Sequence, residues 1–433
     1  MHNTLSALLL FLGLFPLCCA NAAEIEATRT NDLALRRVHL GERRLLEDEA
    51  PARDAAGEQS RSDVPWHEGE YASGNWGGFR TSLAEKGVEF SGSYIIDGSS
   101  VLAGGLRQRS VARGLLDLNF TFDPEPVLGI PGSTFFAQYF FRHGPNGANF
   151  VGDLQGYSNI DAECFDRIGE LWFEQKLLDD RIRVKLGQGD ANTEFAYIES
   201  SGQFIHSSAG YSPTLRCLPT YPCPALSANV FVYPSAGTYV GTGVYSEPLD
   251  SRSPLNFETA YLLGEAGVAW EGARRLGPGR VAGGMWHEVA QVERFDGSFE
   301  NSATGFYAVA EQQVWKENLE EPDNPQGVSL FAQYGYADAN VSAIEHHVGC
   351  GLVVIGFLPC RDDDASGIYC SLAITSPADA ALHRNETCVE WFYSFQATSF
   401  IVLQPDMQWI VNPGGGEGRA EAWITTLRVT LIF

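Results

Sequence analysis

Basic residues are scarce in this chain. Only 29 Lys and Arg stand against 54 Asp and Glu, a formal charge of -25, so a phosphate backbone is repelled and nucleic acid is excluded as a partner. Long hydrophobic runs are missing too: beyond the N-terminus no segment offers the eighteen consecutive apolar residues that a membrane-spanning helix needs. Methionine numbers only 3, and no GxSxG, Walker or dinucleotide fingerprint occurs. No Cys-x-x-Cys pair is present, which argues against a redox site or a thiolate zinc cluster. These absences remove helical membrane proteins and the enzymes that carry such motifs. They predict a non-enzyme without cofactor or metal.

Glycine (46 residues) and aromatics (12%) are plentiful, a mixture that suits twisted strands and tight turns better than packed helices. The apolar run Leu5 to Cys19 ends at Ala20-Asn21-Ala22, the small-x-small form of a signal-peptidase site, so residues 1–22 are expected to be a cleaved signal peptide. A lipoprotein reading of Cys18 and Cys19 fails on Pro16-Leu17, where small residues are required. Residues 23–65 hold Arg36-Arg37, Arg43-Arg44 and Glu47-Asp48-Glu49 but few large apolar side chains after Leu46. They read as a charged, flexible periplasmic extension. Asn75 is expected to cap a short helix carrying Phe79 and Leu83 and ending at Gly87, placed to plug the periplasmic mouth.

The most informative stretch is Trp423 to Phe433. Trp423, Leu427, Val429, Leu431 and Phe433 fall on one face of a strand, and Thr426, Arg428 and Thr430 on the other. The preceding segments repeat the rhythm: Leu403, Met407, Trp409 and Val411 against Gln404, Asp406 and Gln408, then Val389, Trp391, Tyr393 and Phe395 against Glu390, Ser394 and Gln396. Aromatics on the apolar face suit an interfacial girdle. A strand ending on an aromatic resembles the signal read by the machinery that assembles bacterial outer-membrane barrels. Walking back gives about sixteen strands, near 402–412, 387–396, 365–374, 350–358, 328–337, 304–315, 281–293, 262–271, 238–247, 228–234, 181–190, 168–178, 133–143, 113–123 and 88–97 besides the last. Residues 66–433 are therefore expected to be all-β, a closed antiparallel transmembrane β-barrel with a short N-terminal helix. The longest connections, about 144–167 and 191–227, fall on the outer side, as the asymmetry of such barrels requires, and loops of that length are candidates to fold inward.

Gly74-Asn75-Trp76-Gly77-Gly78-Phe79-Arg80 and Leu83-Ala84-Glu85-Lys86-Gly87 resemble the start of the carbohydrate-selective porin (OprB-like) family. Leu115-Leu116-Asp117-Leu118, Val151-Gly152-Asp153-Leu154-Gln155, Ser158-Asn159-Ile160, Glu170-Leu171-Trp172-Phe173-Glu174-Gln175 and Gly187-Gln188 continue the likeness in order. Phe331-Ala332, Tyr336-Ala337-Asp338, Arg361-Asp362-Asp363-Asp364 and Pro405 to Gly414 carry it to the end of the chain. The resemblance implies an outer-membrane porin, monomeric or homotrimeric, that passes glucose and similar sugars down a gradient. Its partners would be the sugar solute, outer-membrane lipid and lipopolysaccharide, and the barrel-assembly machinery through Phe433. The stretch 209–227 departs from the family in its cysteines and prolines.

A neutral, hydroxyl-rich solute needs hydrogen-bonding groups and aromatic faces along its path. Inward positions on the predicted strands offer Gln138, Arg142, Glu170, Trp172, Glu174 and Arg183, and Asp153 and Gln155 are added from the first long loop. Cys217 with Cys223, and Cys370 with Cys388, are candidate disulfides, whereas Cys164, Cys350 and Cys360 have no assigned partner. His346-His347 read as solvated loop residues and Arg361 to Asp364 as a polar inner turn. The alternatives are a general or cation-preferring porin, favoured by the negative charge, an outer-membrane enzyme, and an adhesin barrel.

Overall fold

The computed structural model describes residues 69, 71–246, 259–319 and 324–433. The expected signal peptide and charged extension lie outside the described residues. Sixteen strands follow in order: β1 Val88–Ala103, β2 Ser110–Phe122, β3 Ser133–His143, β4 Phe165–Leu177, β5 Ile182–Gly189, β6 Ala225–Ser235, β7 Thr238–Ser246 and β8 Ala260–Trp270. The second half holds β9 Gly279–Glu293, β10 Phe299–Lys316, β11 Gly327–Ala337, β12 Ile344–Ile355, β13 Ala365–Thr375, β14 Glu386–Thr398, β15 Ile401–Val411 and β16 Ala422–Ile432. Each pairs antiparallel with its sequence neighbours, and β1 pairs with β16, so the sheet closes without a free edge. Closure matters because an unpaired strand edge has no water to satisfy it within a bilayer.

The side-chain alternation places the faces as expected. Along β16, Trp423 and Leu427 are exposed outward while Ala422, Ile424, Thr426 and Arg428 are buried inward. On β14, Trp391 and Phe395 face out and Glu390 and Ser394 face in. Outward aromatics gather near both rims: Trp409 stacks on Trp423 at 5.6 Å and Phe306 meets Tyr336 at 4.9 Å toward the outer one, and Phe135 lies 4.8 Å from Phe173 toward the inner one. Such rings suit the headgroup level.

The short helix α1, Phe79–Ala84, does not plug the mouth. None of its residues is buried and Phe79 is 59% exposed. Its N-cap is Gly78, and the Asn75 side chain instead meets Thr81, accepting from its amide at 3.3 Å and donating to its hydroxyl at 3.0 Å. The segment instead clasps the closure between β1 and β16. The Ala72 amide donates to Ile432 O, Arg80 donates to Phe433 O at 3.0 Å and to Phe90 O, and Trp76 packs on the outward ring of Phe90 at 5.9 Å. Arg80 also lies 3.6 Å over the Tyr71 ring. An amphipathic pattern too short to span the mouth finds its apolar partners on the outer wall.

Inward faces divide the lumen in two. From β6 to β14 they carry a packed aromatic cluster including Phe231, Tyr239, Tyr261, Trp286, Tyr307, Phe331, Tyr369 and Phe392. Glycines make room for the rings: a Cβ on Gly241 would stand 2.2 Å from Phe231, and one on Gly305 would stand 2.6 Å from Trp286. From β1 to β5, and on β16, the inward faces set charged side chains such as Asp97, Arg113, Arg142, Glu170, Glu174, Arg183, Lys185 and Arg428 among smaller apolar groups around Leu115 and Ile424.

Candidate functional site: two inward loops and a charged wall

Two outer connections fold into the lumen, residues 144–164 between β3 and β4 and residues 190–224 between β5 and β6. Their backbone amides are turned to carboxylates on the wall. Glu386 accepts from the amides of Leu154 at 2.9 Å, Gln155 at 3.1 Å and Gly414 at 2.6 Å. Glu390 accepts from Ile205 at 2.6 Å and His206 at 3.2 Å, Glu265 from Ala196 at 2.8 Å, and Glu311 from Ser200 at 3.0 Å. An ionised carboxylate is the strongest acceptor available to an orphan amide. Part of the chain's excess negative charge therefore fastens loops and does not line open water.

A first charged row crosses the closure of the barrel. Asp97 faces both Arg428 on β16 and Arg113 on β2 in register. Arg428 grips it with two bonds at 2.8 and 2.9 Å, and Arg113 lies at 3.6 Å. Arg113 also pairs with Asp161 of the first loop at 3.0 Å and donates to the Tyr157 hydroxyl at 2.6 Å. Burial pushes the Asp161 carboxyl up, opposed by the Arg113 charge. Arg142, fully buried, meets Asp161 at 3.6 Å and donates to the carbonyls of Ile160, Gly144 and Pro145.

A second row runs over β4 and β5. Arg183 bridges Glu174 at 2.9 Å and Glu194 at 2.5 Å, Lys185 meets Glu194 at 2.8 Å and Glu170 at 3.7 Å, and Glu170 accepts from the Trp172 indole at 3.2 Å. The Lys185 ammonium lies 4.0 Å over the Trp172 ring, and that ring stacks on Phe136 at 4.9 Å. All of these side chains except Phe136 are buried. Donors and acceptors fixed in this way are pre-organised by one another, so a group that replaced one partner would find the rest already in place.

Of the residues anticipated from sequence, Glu170, Trp172, Glu174 and Arg183 thus come together. Gln138 faces in and donates to Asp117 at 3.0 Å. Asp153 and Gln155 turn to the wall at Glu386: Gln155 donates to it at 3.2 Å, and burial, then the Glu386 charge, raises the Asp153 pKa to about 8. Asp97, Arg113, Asp161, Lys185, Glu194 and Arg428 complete the two rows and were not among the anticipated site residues. The loop members gave no periodic signal.

The cysteine pairs are not formed, and every described cysteine is a free thiol. Cys370 is exposed on the outer wall while Cys388, one strand away, is buried inside, so the two sit on opposite faces. The register partner of Cys370 is Cys350 on β12. His346 and His347 are in β12 and not in a loop, and His347 is buried. Arg361 does close a polar turn, donating to Asp364 at 2.8 Å.

Residues 108–433 match the family described as "Carbohydrate-selective porin, OprB family". The chain is 23% identical to Porin B of Pseudomonas aeruginosa over 422 residues, covering 83% of this chain and 90% of that protein. Its fold is similar to that in the high pH structure of Pseudomonas putida OprB, with a TM-score of 0.75 at 20% identity over 84% of this chain and 99% of that one. The low pH structure of the same protein gives 0.57 at 19% identity, with the same coverage. With the match running from ahead of β2 to the last residue and the barrel closed on itself, the chain belongs to the carbohydrate-selective porin, OprB family, and is an outer-membrane channel, not an enzyme.

Proposed function

We propose that the lumen passes glucose and similar neutral sugars by diffusion, along a path lined by Glu170, Trp172, Glu174 and Arg183. Arg142, Asp153, Gln155 and Gln138 act by holding the first loop and the wall beside it. The observation that carries this reading is the second charged row, where alternating carboxylates and cations lie beside an indole face. Such a row offers hydroxyl partners while its two cations offset two of its three carboxylates, which favours a neutral solute over a bare cation. Domain limits follow the same reading: a removed signal peptide at 1–22, a periplasmic extension at 23–65, and the porin barrel at 66–433. Outer-membrane lipid, lipopolysaccharide and the barrel-assembly machinery are the partners such a barrel requires, as a monomer or a homotrimer.

The test is sugar-dependent liposome swelling with single-channel conductance on the same preparation. Glu170→Ala and Arg183→Ala are expected to lower glucose flux about tenfold or more and to change conductance, since each removes a charged hydrogen-bonding group worth about 1.5–3 kcal/mol. Unchanged flux and conductance in both variants would reject the assignment. A reversal potential showing strong cation preference under a salt gradient would favour the cation-preferring reading.

A further inference from the structure

Apart from the charged rows, we propose that the outer side of the lumen holds a separate docking cavity for a neutral pyranose sugar of one or two rings, roofed by the Cys- and Pro-rich stretch of the second loop. The inference rests on sugar passage as the function and adds a place where the solute is captured before the charged rows. The cavity measures about 720 Å³, inside the range of roughly 300–1,000 Å³ typical of small-molecule sites. Residues 211–223 form its roof. Its floor is the outer ends of β7, β8 and β9, with Gln155 of the first loop at its side.

The chemistry of the lining selects the ligand. Tyr211, Tyr221 and Tyr261 supply aromatic surface, and Tyr261 is held by stacking on Trp286 at 5.8 Å and 9°. Rings fixed in this way suit the CH face of a pyranose. Arg216 and Glu288 pair at 3.3 Å, and Arg216 is also tied to Val341 O at 3.0 Å, so the two charged side chains among the described residues of the lining compensate each other. That pairing disfavours an ionic ligand.

Among the described residues, three buried polar atoms of the lining lack a hydrogen-bond partner: the Tyr261 hydroxyl, the Gln155 side-chain carbonyl and the Glu288 carboxylate oxygen that faces Arg216. Leaving such groups unmet costs about 1–3 kcal/mol each. Sugar hydroxyls, each both donor and acceptor, can answer these groups one by one. None of Glu170, Trp172, Glu174 or Arg183 lines this cavity, which separates it from the path lined by the second charged row.

The native thiols supply the test. Cys217 and Cys223 both line the cavity, whereas Cys360 is exposed at an inner turn. The full chain, refolded into liposomes, is reacted with a small methanethiosulfonate in increasing glucose or maltose. Modification is read peptide by peptide, and sugar flux is measured on the same vesicles. The expected result is a saturable slowing at Cys217 with none at Cys360, weakened about fivefold in Tyr261→Phe and Glu288→Gln, the effect of one ordinary hydrogen bond.

Intact flux with no sugar effect on Cys217 overturns the cavity and leaves the passage reading standing. Protection that is the same in both variants as in the native chain also overturns it, because the named groups then do not hold the sugar. Protection without flux upholds the cavity and removes sugar passage; loss of both removes both.

Discussion

The two halves of the inner wall solve one problem in opposite ways. On β1 to β5 and β16 the inward positions carry Asp97, Arg113, Arg142, Glu170, Glu174, Arg183, Lys185 and Arg428, and the loops reach them through ion pairs. On β6 to β14 the inward positions carry Phe231, Tyr239, Trp286, Tyr307, Phe331, Tyr369 and Phe392, and the second loop lays Phe195 and Phe204 against them as in a soluble core. Loops cover both faces, so cover alone does not set polarity. Where the loop brings Asp161 or Glu194 the wall beneath is ionic, and where it brings Phe195 and Phe204 burial of apolar area takes over, at roughly 25 cal/mol per Å². Both halves keep wall carboxylates as anchors for loop amides, so the difference lies in what surrounds the anchor.

The contrast is open to attack at three points. The largest effect is expected in the charged half. Asp97→Ala leaves Arg113 and Arg428 buried together without their shared carboxylate, and removal of one member of a buried ionic group costs about 3–5 kcal/mol. Urea unfolding of the refolded barrel should show a loss of that order, and a loss under 1 kcal/mol would mean the row is solvated. In the aromatic half, Gly305→Val sets a Cβ against the Trp286 indole and the Tyr336 carbonyl, and overpacking of this kind costs about 1–3 kcal/mol. The same unfolding assay checks it. A neutral outcome would show that the aromatic half yields like a fluid and is not a packed core.

The smallest effect is a pair of opposed pH dependences. Asp153 rises from 3.8 to about 8 on docking of the first loop, through burial and then Glu386. Its contribution is therefore fully present below about pH 4 and is lost as pH climbs through about 8. His206 in the second loop falls from 6.5 to about 3 through burial alone. It touches Ser208 at 2.9 Å, lies near Tyr369 and His347, and has its amide on Glu390. Its contribution is present above about pH 6.5 and is lost as pH falls toward 3. Hydrogen exchange should find residues 144–164 better protected at pH 5 than at pH 9, and residues 190–224 better protected at pH 7 than at pH 4. Asp153→Asn should flatten the first slope and leave the second. Slopes of one sign in both loops would erase the distinction.

Much of the barrel was legible because period-two alternation is a local property. The predicted limits 133–143 match β3, and β13, β15 and β16 agree within two residues at each end. Strand ends were lost where alternation stops but pairing continues. β1 runs to Ala103 through Gly98-Ser99-Ser100, and β12 begins at Ile344, which draws His346 and His347 into the wall. The gathering of Glu170, Trp172, Glu174 and Arg183 was readable, since they share faces on strands joined by a tight turn. The Asp97 row was not, because it depends on the register of β1 with β16, and nothing local states that register. Glu194 and Asp161 come from loops, where no period exists. The aromatic half escaped for a different reason: an inward Tyr or Phe looks like a lipid-facing one until the loop that covers it is seen.

The row that joins Arg113, Asp97 and Arg428 has a meaning for biogenesis. Asp97 and Arg428 stand 331 positions apart in the chain, so their contact comes into being only when the first strand meets the last. A cylinder still missing its final stave leaves that aspartate half answered at an open rim. Completion thus carries its own electrostatic latch, thrown at the moment the two ends of the sheet meet.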